Sequence, residues 1–148
     1  MGNLLHFFEL VAVASWFGAI VFFSFCAAPA LFHALDRETA AKAVRSIFPV
    51  YYLAAMLCGV ILTAVNLFRG VLWYWGGMIR PSIALFAILT MLSVYARQRL
   101  IPAIDRARDA GPLSKKQFDQ LHRRSVQFNV LFLLCLIAYL VWMSIRGY

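Results

Sequence analysis

Apolar residues fall into four long runs along the chain: Leu10 to Leu35, Ile47 to Phe68, Pro81 to Ala96 with an extension toward Ile104, and Val126 to Ile145. A helix of about 20 apolar residues crosses a hydrocarbon core of roughly 30 Å. The pattern therefore predicts an all-α, integral membrane four-helix bundle. It forms one transmembrane domain over residues 1–148, with spans at about 4–33, 47–68, 81–103 and 121–145.

Polar and helix-breaking residues mark the joints. Pro29 should kink the first helix or end its regular part. Asp36 suits the N-cap of a short helix, RETAAKAVRS, which is too polar to span and is expected to lie at the interface before a second helix starting near Pro49. In that second helix Tyr52, Ala55, Gly59, Thr63 and Asn66 recur at spacings of three and four. Such residues share one face. Small side chains there let helices approach closely, and polar ones bond across, so Ala55, Gly59, Thr63 and Asn66 are read as the packing stripe.

Trp73, Tyr74 and Trp75, with Trp142 and Tyr148, have the character of an interfacial aromatic belt. Gly76-Gly77 supplies a turn, and Pro81 suits the first position of helix 3. The segment ARQRLIPAIDRARDA continues helix 3 past its apolar part, with a bend at Pro102, until Gly111-Pro112 stops it. Ser114 and Gln117 fit a capping box that opens helix 4 near Lys115. Helices 3 and 4 thus extend into a basic helical hairpin.

Composition agrees: 64% of residues are hydrophobic and 14% charged, against about 45–50% and 25% in soluble domains. The net charge of +8 is not spread evenly. Arg37, Lys42 and Arg45 follow the first run, and Arg97, Arg99, Arg106, Arg108, Lys115, Lys116, Arg123 and Arg124 follow the third. Only Arg69, Arg80 and Arg146 fall on the other side. Cytoplasmic loops are the ones enriched in Lys and Arg. This places a multi-pass protein in the cytoplasmic membrane, N-out and C-out, with both termini on the non-cytoplasmic side. The basic loops would meet anionic headgroups. No recognition motif accompanies the charge, so nucleic acid is not an expected partner. The N-terminus lacks a basic n-region, and its apolar run exceeds a signal core, so the first helix is expected to stay in the protein. Cys26, Cys58 and Cys135 lie inside apolar runs without paired spacing, which argues against a disulfide framework or a zinc site.

Few polar groups enter the spans, and ionisable ones there are costly enough to be functional candidates. His6 and Glu9 are one turn apart near the start of helix 1. They read either as a haem, metal or proton-handling pair or as a headgroup-level pair in which Glu9 meets Arg69 or Arg80. His122, Ser125 and Asn129 form a stripe on helix 4, and His33 and Tyr51 stand at the same depth on helices 1 and 2. These five form either one ligand pocket or an interhelical hydrogen-bond cluster. Cys26, Met56, Cys58, Met91 and Cys135 could suit copper(I), but show no ligand spacing. No nucleophile–base set, phosphate loop or HExxH motif is present.

The run WFGAIVFFSFCAAPALFHAL, the following RETAAKAVRSIFPVYY and the late QLHRRSVQFN resemble the bacterial relatives of transmembrane protein 205 over nearly the whole chain. Matching positions include His6, Trp16, Gly18, Pro29, Phe32, Phe48, Pro49, Tyr51, His122, Ser125 and Asn129. The resemblance implies a membrane location and four spans, with no established reaction. A looser likeness, carried by His6 and Trp16-Phe17-Gly18, is to copper-resistance D proteins and to the haem-binding membrane protoporphyrinogen oxidase. It implies haem or copper at His6. The leading expectation is a non-enzymatic membrane protein without a cofactor. It would bind or help to move a small ligand or ion, or support a homo-oligomer or a larger membrane complex.

Overall fold

The structure is a computed structural model that describes residues 2–73 and 79–146, without the side chains of residues 72, 73, 79, 112 and 146. Every element among them is helical. Helices α1 (Gly2–Phe22) and α2 (Ala28–Ala34) are joined by a π-helical turn at Phe23–Ala27, and α3 runs unbroken from Arg37 to Trp73. Helices α4 (Ile79–Tyr95) and α5 (Ile101–Asp109) are joined by a second π turn at Ala96–Leu100. A 3-10 turn at Pro112–Ser114 leads into α6 (Lys115–Arg146). Four helical stretches, Gly2–Ala34, Arg37–Val71, Arg80–Asp109 and Lys115–Ile145, are long and apolar enough to cross a bilayer. The expected belt residues Trp73, Tyr74, Trp75 and Tyr148, and the Gly76-Gly77 turn, fall outside the described structure or side chains.

The core lies where α1, α3, α4 and α6 meet. Trp16, Tyr52, Leu62, Phe86, Leu89, Phe132 and Leu136 are buried there. Phe22, Phe25, Met91 and Val71 point outward and are more than 60% exposed. A water-facing bundle would carry polar residues on that surface, so the apolar exterior suits lipid. The helix 3 of the sequence reading packs on the small face of α3. A Cβ placed on Gly59 would stand 2.1 Å from Thr90 Oγ1 and 3.3 Å from the Trp16 ring. The backbones approach because position 59 has no side chain. Ala55, Gly59 and Asn66 are buried, and Thr63, half-buried, turns its hydroxyl onto the Gly59 carbonyl at 2.8 Å.

Both prolines expected to disturb helices follow a π turn. Pro29 and Pro102 each occupy the second position of a short helix that begins just after the turn. A proline denies its helix one hydrogen bond to the carbonyl four residues back, and a π turn is a common way for a helix to absorb such a defect.

The polar RETAAKAVRS segment is not a separate interfacial helix. It forms the first turns of α3, and Pro49 lies inside that helix. Asp36 does cap it, its Oδ1 accepting from the backbone N–H groups of Glu38 and Thr39, each at 3.0 Å. Helix α3 has 37 residues, so at 1.5 Å per residue it is about 55 Å long and exceeds the hydrocarbon core. Tertiary bonds hold the overhang straight. Arg45 meets Asp105 at 3.0 Å and forks onto both Asp109 oxygens at 2.8 and 2.9 Å. Arg108 donates to the Ala41 carbonyl at 3.4 Å, and Arg97 to the Pro49 carbonyl at 3.2 Å. The expected hairpin of α5 and α6 is present, but it is tied to α3 rather than standing alone. Gly111, at φ 77°, ends α5 in the left-handed region that glycine adopts freely.

Candidate functional site

Two polar assemblies occupy opposite ends of the bundle. At the end where α1 begins, the Glu9 carboxylate is fully buried between three helices. Arg69 Nη1 lies 2.6 Å from Glu9 Oε2. Oε1 accepts from the Tyr139 hydroxyl and, at 3.3 Å, from Asn66 Nδ2, which also donates to the Leu62 carbonyl. His6 Nδ1 is 3.7 Å from Oε2. Glu9 is therefore screened from its surroundings by the bundle itself. Of the two arginines expected to meet it, Arg69 does so, while Arg80 is exposed. Asn66, read from the sequence as packing, is also a donor to this carboxylate. Tyr139 was not singled out at all; only its depth on helix 4, matched to Glu9 on helix 1, could have marked it.

This geometry gives His6 no ready-made set of metal ligands among the described residues. The Glu9 oxygens already serve three donors from α3 and α6. No group of three or more His, Cys, Asp or Glu side chains stands together among the described residues. What the assembly does is bind α1 to α3 and α6 through one desolvated charge.

The other end is basic and encloses a pocket of about 780 Å³. It opens where the first span parts from the last. Above the π turn, α1 packs on both α3 and α6, whereas α2 packs on α3. Ile20, Phe23, Val130 and Leu133 line the deep part toward the middle of the bundle. Arg37, Arg45, Asp105, Arg108 and His122 line the end near the polar overhangs. The lining thus grades from hydrocarbon to cation along the helix axes.

Three of the five residues expected to form an inner pocket, His122, Ser125 and Asn129, line this one. Tyr51 is buried behind it and donates to Asn129 Oδ1 at 3.1 Å, while Tyr52 OH and Ser125 Oγ lie 3.4 Å apart. Phe23, Phe48, Tyr51 and Tyr52 form an aromatic wall, with neighbouring centroids 5.2–6.4 Å apart. His33 is exposed and is not part of the lining. His122 stacks on Phe118 at 5.8 Å, and the Arg108 guanidinium lies 5.0 Å over the same ring. Arg37, Arg108 and Phe23 were not expected. Their signal is tertiary, because the first π turn, α3 and α5 bring them together from distant parts of the chain.

Residues 11–112 match the family described as a domain of unknown function, DUF4149. The match takes in both π turns, the Gly59 contact and most of the pocket outside α6. An uncharacterized protein of Aquifex aeolicus (strain VF5) is 43% identical over 61 residues, which is 40% of this chain and 43% of that protein. The alignment thus spans less than half the length of this relative. No solved structure matches the chain. With more than half of its length covered by the family's pattern, the chain belongs to the DUF4149 family.

Proposed function

We propose that this protein is a non-enzymatic, multi-pass protein of the cytoplasmic membrane that takes an amphipathic small ligand from the bilayer into the pocket at its basic end. The graded lining carries this reading: in a bilayer its apolar side chains would meet acyl chains, and its cationic ones headgroups. A volume of about 780 Å³ falls within the roughly 300–1,000 Å³ of small-molecule pockets. The bias of Lys and Arg toward this end supports a cytoplasmic setting for it, with both termini outside. The likeness to bacterial relatives of transmembrane protein 205 is compatible with such a role.

The test is native mass spectrometry of the protein released from mild detergent. Wild type should retain adducts of lipid mass, and Ala28→Trp, which puts an indole into the pocket, should lose them. Bare wild-type protein, or adducts unchanged in Ala28→Trp, would count against the proposal.

A further inference from the structure

We infer that the pocket selects a lipid with an anionic headgroup, a phosphate ester or carboxylate, held by Arg37, Arg108 and His122; this rests on the reading of the pocket as a ligand site. The argument is one of charge already spent and charge left over. The acidic residue that lines the pocket, Asp105, is engaged by Arg45 at 3.0 Å, and the Arg45 fork is closed by Asp109. Arg37 and Arg108 form no ion pair with a carboxylate among the described residues. Arg108 and His122 both lie against Phe118, on the same wall as the pocket mouth. The charged end is therefore net cationic and rich in N–H donors. A guanidinium fork matches phosphate and carboxylate oxygens. The apolar lining begins directly beyond these groups, with Phe32 and Val126 exposed at the rim and Ile20 and Leu133 deeper in. A free inorganic anion would satisfy the cations but leave the apolar walls uncovered. A neutral amphiphile would cover the walls but leave the cations unmatched. A lipid anion does both, and it can slide in sideways through the gap between α2 and α6.

The experiment uses the full chain in phosphatidylcholine vesicles containing a small fraction of spin-labelled phosphatidic acid or spin-labelled phosphatidylcholine. The motionally restricted fraction is read by electron paramagnetic resonance. Wild type should restrict the anionic label preferentially. Replacing Arg37 and Arg108 together by Gln should weaken that preference about tenfold or more. Arg37→Gln alone, at an exposed position with no ion pair, should weaken it in part without endangering the fold. The control R123Q/R124Q removes the same net charge from α6 outside the pocket and should keep the preference. An equal loss in that control would overturn the inference in favour of general surface attraction. Displacement of the label by inorganic phosphate would overturn the lipid as the source of the anion. If both labels are restricted alike and Ala28→Trp releases both, the headgroup inference fails while the pocket stands. If neither label is restricted, the pocket reading falls with it.

Discussion

Glu9 is the residue on which most of the terminal end depends. A carboxylate removed from water and lipid is tolerable only when donors replace the lost solvation, and here Arg69, Tyr139 and Asn66 do so. Removing it takes a buried carboxylate away from a guanidinium that is only 16% exposed. Glu9→Ala should therefore lower stability by about 3–5 kcal/mol, the usual cost of breaking a buried pair from one side. Arg69→Ala should behave similarly. The double variant should cost clearly less than the sum of the two. Thermal unfolding in detergent reads all three, and strict additivity would refute the pairing. Asp36 and Asp109 make a second prediction, at the basic end beyond the apolar part of the spans. Hydrogen bonds from Thr39 hold Asp36 below the ordinary carboxylate range, and the Arg45 fork does the same for Asp109. A carboxyl depressed in the fold contributes stability above its unfolded value, and that contribution is lost as pH falls through the lowered one. Asp109→Asn and Asp36→Asn should be less stable than wild type near neutrality. Each should also lose less stability on acidification below the ordinary carboxylate range. Parallel acid limbs in the melting curves would contradict this.

Among elements, α3 organises the bundle, and Gly59 is its closest point of approach. An alanine there meets Thr90 Oγ1, which is itself fixed by a 2.6 Å bond to the Phe86 carbonyl. Gly59→Ala should cost about 1–3 kcal/mol by overpacking. Adding Thr90→Ala should recover much of it, because the 2.1 Å clash is then gone and the Thr90 Cβ at 3.2 Å and the Trp16 ring at 3.3 Å remain. No recovery would mean that the strain lies elsewhere. This stripe was legible from spacing alone, as were the Asp36 cap and the stop at Gly111, because each is a local rule acting within a turn or two. The continuity of α3 was not. Pro49 and the polar segment of residues 37–46 argue locally for a break, and only remote contacts, those of Arg45 with Asp105 and Asp109 among them, outweigh them. Nor could spacing choose between Arg69 and Arg80 for Glu9, since both flank the same loop.

For the whole molecule, the contacts of Glu9 with Arg69 and Tyr139 put the start of the first span beside the ends of the second and last. Four crossings in alternation follow, and the residues expected to gather at the far end divide accordingly. His122, Ser125 and Asn129 line the pocket, Tyr51 supports them, and His33 stays outside. Hydropathy could place all five at one depth, but which way each faced depended on how the helices turn about their axes. The topology proposal is checked by reporters fused to each terminus and inserted at Leu113, which is fully exposed. The termini should report the outside and position 113 the cytoplasm; the reverse pattern would invert the assignment.

The π turn at Phe23–Ala27 has a consequence for how the pocket could be lost in evolution. A π turn holds one residue more than the α-helical turn it replaces, so everything beyond it is rotated by about 100° relative to an uninterrupted helix. Ala28 and Phe32, beyond the turn, line the pocket in that rotated frame. Deleting a single residue at the turn would wind the lower half of the span back and carry those side chains round the helix, leaving composition and hydropathy almost untouched. In this lineage, gaps in an alignment, more than substitutions, would separate chains that keep the cavity from chains that have closed it.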